Sequence, residues 1–173
     1  VDTDGDGIRE KDGKKLVVKW LTYPTRQELP LLAEAAQASL KEIGIEVDIN
    51  NTLDVNEVVQ DASAWDVYAM ANVQAPTGDP EYWFRVFALS DSAKNQGKYS
   101  NAQLDALDEQ LSQEFDTAKR ADLAVQMQQI LLDDNAFVFC SFLKMSMISR
   151  SNVSNYTSHA CDYYQITADL DIE

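Results

Sequence analysis

The chain has 173 residues, with 29 Asp or Glu against 14 Lys or Arg, giving a formal charge of −15 at pH 7. An acidic surface repels nucleic-acid backbones and anionic lipid over a Debye length of roughly 10 Å, so nucleic acid is excluded and a neutral, cationic or metal-bearing partner is expected. At 45% hydrophobic and 25% charged residues the composition excludes disordered and fibrous classes, and the length suits one globular domain with a real core.

The chain opens on VDTDGDGIRE, with no initiator Met and no basic-then-apolar leader. It reads as a processed product or an excised piece, so the missing export signal does not locate the parent protein. LVVKWL (Leu16 to Leu21), closed by Tyr23-Pro24, reads as a buried strand. Leu29, Leu32, Ala36, Leu40 and Ile43 then recur at spacings of three and four, which predicts a long helix stopping at Gly44. Its start is open between a Thr25/Glu28 capping box and a first turn holding Pro30. IEVDI (Ile45 to Ile49) alternates as a strand does, and strand, helix, strand is a right-handed βαβ unit; the class is α/β.

A short helix is expected from Asp54 to Asp61 and a strand within Trp65 to Val73. After the loop QAPTGDP, Asp79-Pro80 reads as the start of an aromatic helix from Glu81 to Ala88, with Phe84 and Phe87 on one core-facing side. Two amphipathic helices follow the polar loop Ser90 to Lys98. Ser100 with Gln103 caps the first, striped by Leu104, Leu107 and Leu111; Asp116 caps the second, striped by Leu123, Met127, Ile130 and Leu131. Strands are expected from Ala136 to Leu143 and around Met145 to Ile148, with Cys140 as a small buried hydrophobe rather than half of a Cys140–Cys161 bridge. No run reaches the roughly 18–20 apolar residues of a membrane span; Ser141 and Lys144 interrupt the longest. Residues 1–149 read as one α/β domain, and 150–173 as a tail with one strand candidate, Tyr163 to Thr167.

The sharpest local chemistry is an alternating oxygen array on a glycine turn: Asp2, Asp4, Asp6, the Ile8 carbonyl, Glu10 and Asp12. Ca²⁺ takes six to eight oxygens, so a structural calcium is the cation this array suits, against the bland reading of a solvated acidic turn. It is not an EF-hand, because Gly13 stands where the closing acid belongs. No P-loop, GxGxxG, HExxH or GxSxG occurs, and the only histidine, His159, lies in the tail. The pair Asp133-Asp134 ends a helix, which explains it more simply than general acid and base work does. Aromatic residues around the QAPTGDP loop suggest a pocket wall, with Trp65, Gln74, Pro76, Thr77, Tyr82 and Trp83 as candidate ligand-binding residues.

The segments DTDGDGIREKDGKKLVVKWLTYP, AEAAQASLKEIGIEVDI, TGDPEYWF, GKYSNAQLDAL and KRADLAVQMQQILLDDNAFVF, in this order, resemble the extracytoplasmic solute-binding proteins of family 5, the peptide/nickel type, which serve ABC importers. The resemblance runs over nearly the whole chain and is to the C-terminal part of such a protein. It implies a periplasmic-binding-protein-like lobe with a mixed sheet flanked by helices, part of a two-lobed clamp that closes on an oligopeptide or nickel chelate and docks on permease subunits, with no chemistry performed and no cofactor required. It places the parent protein outside the cytoplasm, periplasmic or lipid-anchored, and makes the tail a segment returning to an absent first lobe. Peptide-binding relatives carry an acidic residue shortly before the Pro of the GDP-like segment; Gln74, Ala75, Pro76 and Thr77 stand there instead, which leaves nickel chelates or another small solute open. Readings from other classes are a calcium-stabilised extracellular interaction module, which predicts repeated DxDxDG copies where only one occurs, and a carboxylate-based hydrolase.

Overall fold

The computed structural model describes residues 1–144, 146–159 and 165–172, and the chain divides into two compact units, Val1–Asn72 and Val73–Glu173. In the first unit, β1 (Glu10–Lys11) and β2 (Lys14–Lys15) form a small antiparallel ladder after the acidic loop. β3 (Val17–Thr22), α1 (Glu28–Lys41) and β4 (Glu46–Asn51) form the expected βαβ unit, followed by α2 (Val55–Val58) and β5 (Val67–Tyr68). The sheet order is β4-β3-β5 and both pairings are parallel, with Leu21 opposite Asn50 on one side and Tyr68 on the other.

Local chemistry sets the helix ends. α1 starts at Glu28 with Pro30 in its first turn, where a missing N–H costs nothing, and no side chain caps it, so the Thr25/Glu28 box does not form. At the far end the N–H groups of Gly44 and Ile45 turn back to the carbonyls of Lys41 and Leu40, with Gly44 at φ +78°. A β-carbon there would lie 2.8 Å from the Arg9 side chain and 3.2 Å from the Gly7 carbonyl, so both conformation and space require glycine. Leu29 and Ala33 are buried, as is Val47 of β4, while Leu21, Val55 and Val59 form a small core flanked by Tyr23, Val58, Trp65 and Tyr68.

The second unit is mainly helical. α3 (Glu81–Trp83) runs on as a wider π turn, Phe84–Ala88, and is followed by α4 (Ala102–Leu111) and α5 (Thr117–Asp133). Leu104, Leu107 and Leu111 pack against Ala124, Met127 and Leu131, with Phe84, Ala88 and Leu89 closing the same core. Phe84 and Phe87 are both buried, as their shared face requires. The cap of α4 is Asn101, whose side chain accepts from the N–H groups of Gln103 and Leu104; Ser100 instead bonds the Ser90 hydroxyl. A carboxamide one residue closer reaches those amides better than the expected Ser100 would. Asp116 caps α5 as expected, accepting from the Lys119 N–H.

Several expectations fail beyond α5. Residues 136–144 and 146–150 carry no strand, and Met145 lies outside the described residues. Composition there favours β structure, but a strand exists only when a neighbouring ladder takes its backbone groups, and none among the described residues pairs with this run. Cys140 is exposed rather than buried, and Val138, Phe142 and Ile148 are exposed along the same run. Cys161, Tyr163 and Tyr164 lie outside the described residues, and the described remainder of the expected Tyr163–Thr167 strand, 165–167, carries no strand; the ladder described in the tail is instead β6 (Val153–Ser154) with β7 (Asp171–Ile172), antiparallel.

Candidate functional site

The acidic loop gathers three carboxylates. One oxygen from each of Asp2, Asp4 and Asp6 lies within 4.8 Å of the others. The loop satisfies much of its own charge: Asp2 accepts from the N–H groups of Gly5 and Gly7, at 2.8 and 2.9 Å, Asp4 from Asp6, and Asp6 from Ile8. The Lys15 ammonium, carried in by β2, bonds Asp6 and lies 3.3 Å from Asp4. Its hydrogen bond first, and the Ile8 N–H next, hold the Asp6 carboxyl below its ordinary value, while Lys15 is raised by the same contacts. Of the other ligands expected from the sequence, Glu10 accepts from the backbone and hydroxyl of Thr3, and Asp12 sits at the β1–β2 turn with φ 54°. Ile8 is buried and anchors the loop. The oxygen chemistry of the three aspartates suits calcium, and Lys15 is the cation such an ion would displace.

The carboxyl edge of the parallel sheet is the second feature of this unit. Leu21 and Tyr68 stand side by side in register, and Tyr23, two residues beyond Leu21, packs on the same small core. The Tyr23 hydroxyl accepts from the Ala71 N–H at 3.3 Å, tying the chain beyond β3 to the chain beyond β5. Trp65 donates its indole N–H to the Val59 carbonyl and meets Tyr68 edge to face, ring centroids 6.0 Å apart. Burial, and then the Tyr23 phenol beside it, push the Tyr68 hydroxyl up, so it keeps its proton at neutral pH.

In the second unit the QAPTGDP loop is held by charge. Gly78, at φ +82°, donates to the Ala75 carbonyl to close a turn, and the Asp79 carboxylate accepts from the Glu81 N–H at 2.9 Å. Arg120 of α5 fixes the loop. Its guanidinium donates to both Asp79 oxygens at 2.8 Å and to Glu81 at 3.0 Å, and to the carbonyls of Leu111 and Glu114 at 2.5 and 2.7 Å. Burial works to raise the Asp79 carboxyl, but the Glu81 amide and the Arg120 guanidinium outweigh it and leave it below its ordinary value. Arg85 reaches Glu81 at 3.1 Å and Asp108 at 3.5 Å, extending the network. Burial pushes the Asp108 carboxyl up against the opposing pull of Arg85, and its Oδ1 has no donor among the described residues.

Of the residues expected around this loop, Gln74 and Thr77 are exposed, Pro76 is half-buried and Tyr82 is exposed. Trp83 is half-buried and sits in an aromatic stack with Phe84, Phe87, Phe137 and Phe139. Trp65 belongs to the other unit. Arg120 was not legible as a site residue: it stands 41 residues from Asp79, in a helix whose pattern speaks only of packing. The pair Asp133-Asp134 does not make an acid and a base. Asp134 accepts from the Tyr99 hydroxyl at 2.6 Å and from Asn101, which lower its carboxyl, while burial and then this bond push Tyr99 up to about 12. His159 is exposed, outside either of these groups.

No family model matches the chain. The nickel-binding protein NikA of Staphylococcus aureus is 30% identical over 141 residues, 82% of this chain and 29% of that protein. The dipeptide-binding protein DppE of Bacillus subtilis is 25% identical over 162 residues, 92% of this chain and 30% of that protein. Among solved structures, NikA from Staphylococcus aureus in complex with Ni(L-His)2 superposes with a TM-score of 0.74 at 27% identity, covering 91% of this chain and 34% of that one. The chain thus spans about 30% of the length of the curated relatives it matches. Agreement in sequence with nickel- and dipeptide-binding proteins, and in fold with one of them, extends over both units, and the chain belongs to family 5 of the solute-binding proteins, the peptide/nickel type.

Proposed function

We propose that this chain is the C-terminal lobe of the substrate-binding component of an ABC importer, which captures an oligopeptide or a nickel chelate outside the cytoplasm and delivers it to permease subunits. The observation that carries this reading is the agreement with nickel- and peptide-binding proteins over 82–92% of the chain. A binding role also accords with how the carboxylates are used. Asp79, Glu81 and Asp134 are tied into structural contacts rather than set in a pair with divergent proton affinity.

In the second unit, Gln74, Pro76, Thr77 and Tyr82 form the solute-facing loop, with Trp83 as the aromatic floor behind it; Arg120 holds that loop in shape. Trp65 lines the carboxyl edge of the first unit. The run beyond Phe137, exposed among its described residues, and the tail from Arg150 take up their sheet partners in the first lobe of the longer protein, which explains a β-rich run without a ladder. The acidic loop is a structural calcium site in this reading, with no part in solute capture.

The test is isothermal titration calorimetry of the longer protein and of this chain with nickel(II)–L-histidine and with a dipeptide. The longer protein binds one of them, and this chain binds weakly or not at all because part of the cleft wall is missing. Equal affinity of the two proteins would overturn the two-lobed reading, and no binding of either probe by the longer protein would overturn the solute class.

A further inference from the structure

The first unit carries hydroxyls at a place where open α/β sheets take ligands. β3 is central; the chain leaves it through α1 to β4 on one side and crosses through α2 to β5 on the other. The strand order therefore reverses between β3 and β5, and the crevice outside the carboxyl ends at such a switch point is the general ligand position of these sheets. Two tyrosines stand there: Tyr23, just beyond the end of β3, and Tyr68, the last paired residue of β5.

Their hydrogen bonding is incomplete in one direction only. Tyr23 uses its oxygen to accept from Ala71, which orients the phenol, while its O–H has no acceptor among the described residues. The Tyr68 ring is fixed by Trp65 and by the small core, and its O–H likewise has no acceptor among them. Two oriented O–H donors, half-buried and with no acceptor among the described residues, are available to a ligand that displaces water from them, and a carboxylate offers two oxygens that accept only. Arg26, three residues past Tyr23, is exposed and makes no ion pair among the described residues, which favours an anionic group at this edge; the opposing carboxylate nearest in sequence is Glu28, the first residue of α1.

We propose that Tyr23 and Tyr68 bind a carboxylate of the captured solute at the switch point between β3 and β5, each donating one phenolic O–H. This rests on the solute-binding reading and adds to it a requirement on the ligand: a free carboxylate, as an amino-acid chelate or a peptide C-terminus supplies.

The experiment uses the longer protein with Tyr23→Phe and Tyr68→Phe, titrated with nickel(II)–L-histidine and with L-alanyl-L-alanine, each as the free acid and as the amide. A hydrogen bond to a charged group is worth enough that each substitution should weaken binding of the acid about 10-fold. Binding of the amide should stay near that of the unsubstituted protein. Tyr23→Phe also deprives Ala71 of its acceptor, but a purely structural loss of that kind weakens acid and amide alike, and Tyr68→Phe disturbs no such bond. Unchanged affinity for the acid in both variants, or equal losses for acid and amide, would overturn the carboxylate site while leaving the solute reading intact. If the unsubstituted protein binds neither probe, both fail together.

Discussion

Asp108 offers a direct test of how burial and charge balance in the helical unit. It is 4% exposed, near the C-terminal end of α4, where the helix dipole also disfavours an anion. One carboxylate oxygen has no donor among the described residues, and the other meets Arg85 only at 3.5 Å, through a guanidinium that is itself mostly exposed. An unsatisfied buried acceptor costs about 1–3 kcal/mol, and so exposed a pair returns less than about 1. Arg85 keeps Glu81 at 3.1 Å when Asp108 is neutralised, so little is lost with the pair. Asp108→Asn should therefore stabilise the fold at neutral pH by about 1 kcal/mol, a rise in Tm of roughly 2–4 °C for a chain of this size. The pH dependence follows from the direction of the shift. Because the folded carboxyl titrates above its ordinary 3.8, the native state carries the full cost of the charge above the folded value, and none once both states are protonated below 3.8. The advantage of the variant should thus be largest near pH 7 and disappear as pH falls through that window. Urea denaturation of both proteins from pH 3 to pH 7 measures it. A variant less stable at pH 7, or an advantage that grows as pH falls, would refute the reasoning.

Replacing Arg120 with Lys removes the fork that spans two carboxylates and two carbonyls, and should cost about 2–4 kcal/mol with faster hydrogen exchange at Gly78 and Glu81; unchanged protection at those amides would show that the loop holds itself. For the acidic loop, calorimetry with Ca²⁺ should give a binding heat that strengthens in Lys15→Gln, since the ammonium competes for Asp4 and Asp6; no heat for either protein would remove calcium from the loop. Leu111→Ala, at a fully buried position between α4 and α5, should destabilise by about 2–5 kcal/mol in denaturant titration, and a loss under about 1 would mean that this core is not the one holding the unit.

Local grammar carried the first unit far. The βαβ order, the stop at Gly44 and the cap at Asp116 all follow from interactions within a few residues, which is the range over which sequence speaks unambiguously. The acidic turn was legible for the same reason, since Asp2, Asp4 and Asp6 are gathered by their own backbone amides. What it could not show was Lys15, whose arrival depends on the β1–β2 ladder folding back.

Tertiary structure decided the rest. Arg120 meets Asp79 only because α5 lies against the start of α3, and Tyr23 meets Ala71 only because β5 joins the sheet beside β3 rather than outside β4. The failure at 136–148 has the same origin. Side-chain composition can favour a strand, but a strand's backbone hydrogen bonds belong to a neighbour, and no neighbour's identity is written in the run itself. By itself the sequence determined an acidic, α/β, solute-binding type of chain with two helices packed by their leucines. Which loops are tied together, and which charges are already spent on holding them, was settled by contacts between residues 41 and 48 positions apart, a separation that no local pattern encodes.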